Sequence, residues 1–226
     1  MERSDKIEVK RSEVYRYLGF GHNLPDEKTV SLVEDSIREL ERVVSPRFFS
    51  RSFPLKHLKD GRLDFTCFQV ESLDLAKNLK DCERVILFAA TLGAGPDLLA
   101  RRYGRLEMSR AVVLQAASAA MIEAWCDKKN EELKEEALRQ GEFLRPRFSP
   151  GYGDFSLEYQ KILTKVLETG KTVGITLTDS LLMVPSKSVT AVIGAARSKE
   201  PDEKENRNEN KDCGVCGKAD CPYRKG

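Results

Sequence analysis

The chain has 226 residues, 40% of them hydrophobic and 33% charged, enough for one sizeable domain with a small appendage and a well-charged surface. A formal net charge of +2 gives neither a nucleic-acid footprint nor an attraction to an anionic membrane. The charged start, Met1-Glu2-Arg3-Ser4-Asp5-Lys6, has no apolar stretch behind it to form a secretory signal. The most apolar helical stretch, residues 111–125, is broken by Gln115, Ser118 and Glu123, so no membrane span is expected. Six cysteines without an export signal point to reduced thiols and a cytoplasmic setting.

In chain order, residues 7–9 read as a short strand, and Ser12 as the cap of a short helix over 13–18 that Gly19 and Gly21 end. After Pro25, Val30, Val33, Ile37, Leu40 and Val44 recur at three- and four-residue steps, the mark of an amphipathic helix closed by Pro46. Residues 47–68 change to a strand pattern around a turn at Lys59-Asp60-Gly61. A short helix is predicted over 73–79. The continuous apolar run Val85-Ile86-Leu87-Phe88-Ala89-Ala90 then predicts a central strand over 84–91. The glycine-rich stretch 91–97 lacks both the GxGxxG spacing and a P-loop lysine, and reads as a tight strand-to-helix turn.

The longest helix is predicted over 109–139. Its first half is rich in alanine, and its second half, from Asp127 to Glu136, is charged and expected to be solvated. Glu123 lies one turn from Ala119 and Ala120 and one turn from Cys126, so it shares a small, weakly polar face. A carboxylate there needs a partner, either a structural arginine or the ammonium group of a ligand. Residues 147–155, Arg-Phe-Ser-Pro-Gly-Tyr-Gly-Asp-Phe, are poorly suited to be ordinary linker. Pro150 fixes its own φ and pushes Ser149 towards an extended conformation, while Gly151 and Gly153 admit positive φ. Arg147 and Tyr152 bracket the turn with a fork of donors and a phenol. A turn presenting backbone amides beside an arginine suits a carboxylate ligand, and a rigid loop with a structural arginine is the alternative. A helix follows from Ser156 to a stop at Gly170. The segments 173–177, 181–184 and 189–193 flank Pro185-Ser186-Lys187 as a β-hairpin.

Residues 198–212 carry no apolar side chain apart from Pro201 and read as a disordered charged linker. They separate a domain over 1–197 from a tail over 213–226, in which Cys213, Cys216 and Cys221 have metal-ligand spacing but one thiolate too few for a structural zinc site. A fourth ligand would come from another cysteine, His22, His57, water or a partner. Zinc and an iron–sulfur cluster both fit the donor type.

Arg147-Phe-Ser-Pro-Gly-Tyr152, followed by Leu177-Thr-Asp-Ser-Leu-Leu-Met-Val-Pro185 and Ser188-Val189, resembles the activation domain of vitamin B12-dependent methionine synthase. The Thr91-Leu-Gly93 strand end and the alanine-rich helix leading to Glu123 are similar to the same family. The resemblance implies an α+β fold, a single domain with a bent antiparallel sheet packed with helices. It also implies binding of S-adenosylmethionine, with Arg147 on its carboxylate, Ser149 and Gly151 in the backbone stretch beside its adenosyl part, and Glu123 near the ligand. Tyr152 is the residue it points at the corrin, and so the one given a direct part in the reaction. The implied reaction is reductive methylation of cob(II)alamin on a separate corrinoid protein, with an electron donor as a further partner and no nucleic acid or membrane involved. Two other readings are a metal-dependent redox activator of another corrinoid methyltransferase and a non-catalytic module that binds a corrinoid protein. The family's fused form has a later strand bearing a ligand-contacting tyrosine, where this chain runs into the linker after Arg197.

Overall fold

The computed structural model describes residues 6–21 and 23–197. The expected linker and cysteine tail, and His22, lie outside them. The chain opens with α1 (Arg11–Tyr17) and α2 (Glu27–Val43), then β1 (Arg47–Pro54), β2 (Lys56–His57), β3 (Leu63–Asp64), β4 (Gln69–Val70) and α3 (Leu73–Asn78). The central part is β5 (Arg84–Thr91), α4 (Gly95–Leu106), α5 (Met108–Arg139) and β6 (Phe143–Leu144). It ends with α6 (Tyr159–Val166), α7 (Thr169–Thr172), β7 (Thr176–Leu177), β8 (Met183–Val184) and β9 (Ser188–Ala196). The fold is mixed α and β, as expected. Its main sheet is antiparallel throughout, in the order β1-β5-β9-β6, accompanied by a three-stranded sheet β2-β3-β4 and the β7-β8 ribbon.

The apolar run of β5 is explained by burial on both faces. Ile86, Phe88 and Ala90 enter one core with Ala191 and Ile193 of β9 and the inward stripes of α1, α2 and α5. Val85, Leu87 and Ala89 enter a second core with Val192 and Ala196, α3, α6 and the small sheet. Alternate side chains of a strand point to opposite faces, so two packed layers require every position to be apolar. The α2 stripe is buried at Val33, Ile37 and Leu40, and Asp26 caps the helix by accepting from the Thr29 amide at 2.8 Å.

Four local expectations are corrected. Residues 7–9 alternate as a strand should, Ile7 and Val9 buried and Glu8 exposed, but pair with no strand; they are extended chain laid on the α1–α5 core. Helix α1 begins at Arg11 with Lys10 as its N-cap and no side-chain capping bond, so Ser12 is not the cap. The helix expected from Ser156 starts at Tyr159, and Gly170 does not stop it: Leu167 closes α6, Glu168 is left-handed, and Gly170 lies inside α7. The turn at Pro185-Ser186-Lys187 does not join a hairpin. β8 pairs with β7, and β9 joins the main sheet, because a strand with Ala191, Val192 and Ile193 fully buried needs cover on both faces. The charged half of α5 is solvated as expected, with Asp127, Glu131, Glu132, Glu135 and Glu136 exposed, and within it Lys129 packs its ammonium 4.6 Å from the Trp125 ring.

The glycines of residues 91–97 serve packing. Gly93 adopts φ +78°, its amide donating to Thr91 Oγ1 at 3.1 Å, and a Cβ on Gly95 would lie 2.0 Å from the Val43 carbonyl oxygen at the end of α2. Gly95→Ala is therefore expected to destabilise the fold by about 1–3 kcal/mol, the range for forced overpacking. Denaturant unfolding checks this, and an unchanged midpoint would contradict the close α2–α4 approach.

Candidate functional site

The site lies where the chain leaves α5 and runs along the open edge of β9. Phe143 and Leu144 pair with Ala196 and Ala195, and the Arg145 amide donates to the Gly194 carbonyl at 2.8 Å. Phe148 then exchanges both backbone bonds with Val192, at 2.9 and 2.8 Å. Between Leu144 and Phe148 four residues advance against three from Ala195 to Val192, so one residue is extra, as in a β-bulge. Pro146, which has no amide to donate, lies in this stretch. Consecutive side chains then part: Phe148 packs in the second core, and Arg147 turns to α5.

Arg147 is the best-defined residue of the site. Its Nη2 donates to Asp127 Oδ1 at 2.8 Å and lies 3.5 Å from Glu123 Oε2. Its Cζ lies 5.8 Å from the centre of the Phe88 ring. Its Nη1 is buried and has no hydrogen-bond partner among the described residues. The Arg147 side chain is 19% exposed, whereas those of Glu123 and Asp127 are 49% and 72% exposed. The arginine is thus set into the wall and its two carboxylates stand at the rim. Glu123 and Asp127 are one helical turn apart and share a face of α5. Glu123 also faces α1: burial pushes the Tyr17 phenol up, and the Glu123 carboxylate adds to that shift. The Cys126 thiol beneath is pushed up to about 12 by burial, Arg147 opposing and the two carboxylates adding to it, so it packs as an apolar group and is no nucleophile at neutral pH.

The turn after Arg147 is held from two sides. The Ser149 carbonyl accepts from the Tyr152 amide at 3.2 Å, and the Gly151 amide donates to the Phe155 carbonyl at 2.7 Å with Gly151 at φ +95°. Phe155 is fully buried and stacks on Tyr159 at 5.1 Å. Asp154 anchors the turn to α3: its carboxylate accepts from the Ser72 hydroxyl and from the amides of Leu73 at 2.7 Å and Asp74 at 3.1 Å. It is an anion supplied by a distant loop to the first amides of a helix, and these bonds hold its carboxyl below the usual range, the Ser72 contact first. Gly153 approaches α3 so closely that a Cβ would meet Asp74 Oδ2 at 2.4 Å. Tyr152, fixed between these anchors, is 69% exposed.

Of the residues singled out from sequence, Glu123 and Arg147 are brought together, and Ser149, Gly151 and Tyr152 follow on the adjoining turn. Cys213, Cys216 and Cys221 lie outside the described residues. Among the described residues no group of three or more His, Cys, Asp or Glu side chains is arranged to hold a metal, and no helix is long and apolar enough to cross a membrane. Sequence reasoning missed Asp127 and Asp154. The four-residue step from Glu123 was a signal for the first, although Asp127 also opens a charged run; nothing local marks Asp154 as an acceptor for the first amides of α3, a helix capped by its own Ser72.

The family model described as vitamin B12 dependent methionine synthase, activation domain, matches residues 84–200. That span includes β5, the whole of α5, the Arg147 turn and β9. Among solved structures, the crystal structure of the MetH reactivation domain bound to AdoHcy matches with a TM-score of 0.59 and 18% identity, covering 91% of this chain and 86% of that one. At that identity the likeness speaks for the fold. A comparison with curated proteins finds no match.

Asp154→Asn keeps the shape of the anchor and removes its charge. Because the folded-state carboxyl titrates below its ordinary value of 3.8, its contribution is complete above that pH and is lost as pH falls through the folded value. The variant is expected to melt below the wild type at pH 7, with the gap closing only below about pH 3.8. Thermal scans from pH 7 to 3 check this, and a gap independent of pH would contradict a charge-based anchor.

Proposed function

Since the chain belongs to the activation-domain family of vitamin B12-dependent methionine synthase, we propose that it binds S-adenosylmethionine at Glu123, Arg147 and the Ser149–Gly151 backbone, and supports reductive methylation of cob(II)alamin carried by a separate methionine synthase. The observation that carries this reading is the Arg147 guanidinium, set into the wall beside an exposed glycine turn, with Nη2 turned to two carboxylates at the solvent-facing rim. Such a group is suited to the carboxylate of an amino-acid ligand, and Glu123, 3.5 Å away, to its ammonium.

The corrinoid held by the partner would supply a cobalt nucleophile, reduced by one electron from a separate donor, to which the sulfonium's methyl group would pass with S-adenosylhomocysteine as the leaving group. This chain need move no proton; its task is proximity and alignment. Arg147 and Glu123 fix the amino-acid end. Ser149 and Gly151 lay the backbone of a positive-φ turn along the ligand, a conformation held by the Gly151–Phe155 bond. Tyr152, exposed on the same turn, meets the incoming corrin face. No imidazole is required at the site, and His57 is engaged elsewhere, with Nε2 3.2 Å from the Cys82 carbonyl.

Arg147→Ala is expected to weaken S-adenosylmethionine binding by about 1.5–3 kcal/mol, roughly ten- to 150-fold. Calorimetric titration measures it, and unchanged affinity would sink the assignment.

The electron must come from outside the site. Three thiolates at Cys213, Cys216 and Cys221 suit a soft metal, zinc or an iron–sulfur cluster completed by a fourth ligand from elsewhere, and the second would serve as an electron relay. Metal analysis of protein purified without oxygen is expected to find one of the two, lost in the Cys213→Ser/Cys216→Ser variant. A metal-free chain would contradict a metal-binding tail and leave the ligand site unaffected.

A further inference from the structure

We infer that Asp127 is an internal competitor for the ligand's carboxylate: it holds Arg147 in position while the site is empty and must leave Nη2 when an amino-acid carboxylate arrives. The inference rests on the proposed binding of S-adenosylmethionine at Arg147 and adds to it a residue that sets affinity by opposing it.

The geometry leaves a carboxylate little alternative. Nη1 of Arg147 is buried, so a ligand entering from solvent does not reach it first. Nη2 is already engaged, by Asp127 at 2.8 Å and Glu123 at 3.5 Å. Of the two carboxylates Asp127 makes the shorter contact and is the more exposed, so it mimics a bound carboxylate and is also the one that water can take back. Nη2 has two N–H groups and already faces two carboxylates, so a third carboxylate can use that nitrogen only if one of them yields. A single ion pair whose carboxylate is 72% exposed favours its bound form by about fivefold at most, so the displacement lowers affinity without abolishing it. While the pair is intact it keeps the arginine aimed at the site, which limits the ordering required on binding. Glu123, half-exposed and slightly farther from Nη2, is left to face the ligand's ammonium.

Asp127→Asn removes the competing charge and keeps the side chain's size. S-adenosylhomocysteine is the suitable probe, because its amino-acid part carries one charge of each sign and the loss of a negative charge on the protein then has little net effect. The control is 5′-deoxy-5′-methylthioadenosine, which has the nucleoside and thioether but no carboxylate. Calorimetric titration of the full chain is expected to show S-adenosylhomocysteine binding about two- to fivefold tighter in Asp127→Asn than in wild type, with the control unchanged. Unchanged or weaker S-adenosylhomocysteine binding in the variant, or equal tightening of both ligands, would overturn the competitor role while leaving the ligand site standing. Failure of the unmodified chain to bind S-adenosylhomocysteine or S-adenosylmethionine would overturn the site reading, and the inference with it.

Discussion

The pairing of β5 with β9 is the constraint on which the remaining parts depend. Eight consecutive residue pairs join the two strands, from Arg84–Ala195 to Thr91–Ser188, and the side chains between are buried on both faces. Such a pair permits no slip, because moving by one residue would exchange the contents of the two cores. Once it is set, helices α1, α2, α4 and α5 cover one face, and α3, α6 and the small sheet cover the other. At one end Thr91 and Ser188 join their hydroxyls at 2.8 Å, closing the sheet beside the tight turn into α4. The far edge of β9 accepts residues 143–148, and this determines where Arg147 stands.

Placing a guanidinium at that edge raises an electrostatic difficulty. One face of Arg147 lies on Phe88 and its Nη1 has no partner, so the charge is poorly hydrated. A cation in that setting calls for nearby anions. Helix α5 provides two from the stripe it presents to the β9 edge, at positions exposed enough to be rearranged by a ligand. The carboxylates compensate the arginine without burying it completely. The neighbouring turn is rigid for different reasons: a buried Phe155, two glycines at positive φ, and Asp154 on the first amides of α3. A wall-set cation with exchangeable anionic partners thus stands beside a fixed turn, an arrangement that fits the proposed alignment of a ligand.

Much of this was legible in the sequence where local pattern and packing agree. The continuous apolar run of β5 matches its burial on both faces, the α2 stripe is buried at Val33, Ile37 and Leu40 though not at Val30, and the alanine-rich half of α5 packs in the first core. The Arg147 turn carries Pro150, Gly151 and Gly153 at positions whose conformation needs them. Legibility failed where partners are distant. Residues 7–9 have the alternation of a strand and no neighbour to pair with, and β9 looks like half of a hairpin until β5 is known to claim it. Glu123 was recognisable as a carboxylate in need of a cation. Asp127 was hidden in a run of charges whose shared helix face with Glu123 matters only once Arg147 lies across from them. The hold that Asp154 takes on Ser72 and the first amides of α3 depends on a contact between segments far apart in the chain, which no local motif encodes.

The proposed site works by Arg147 exchanging an internal carboxylate for a ligand's. A crystal structure of the chain with S-adenosylhomocysteine tests it most directly. The predicted result is the ligand's carboxylate within hydrogen-bond reach of Arg147 Nη2, its ammonium beside Glu123, and Asp127 turned into solvent. A ligand bound elsewhere, or bound with the Arg147–Asp127 pair still closed at 2.8 Å, would contradict the account.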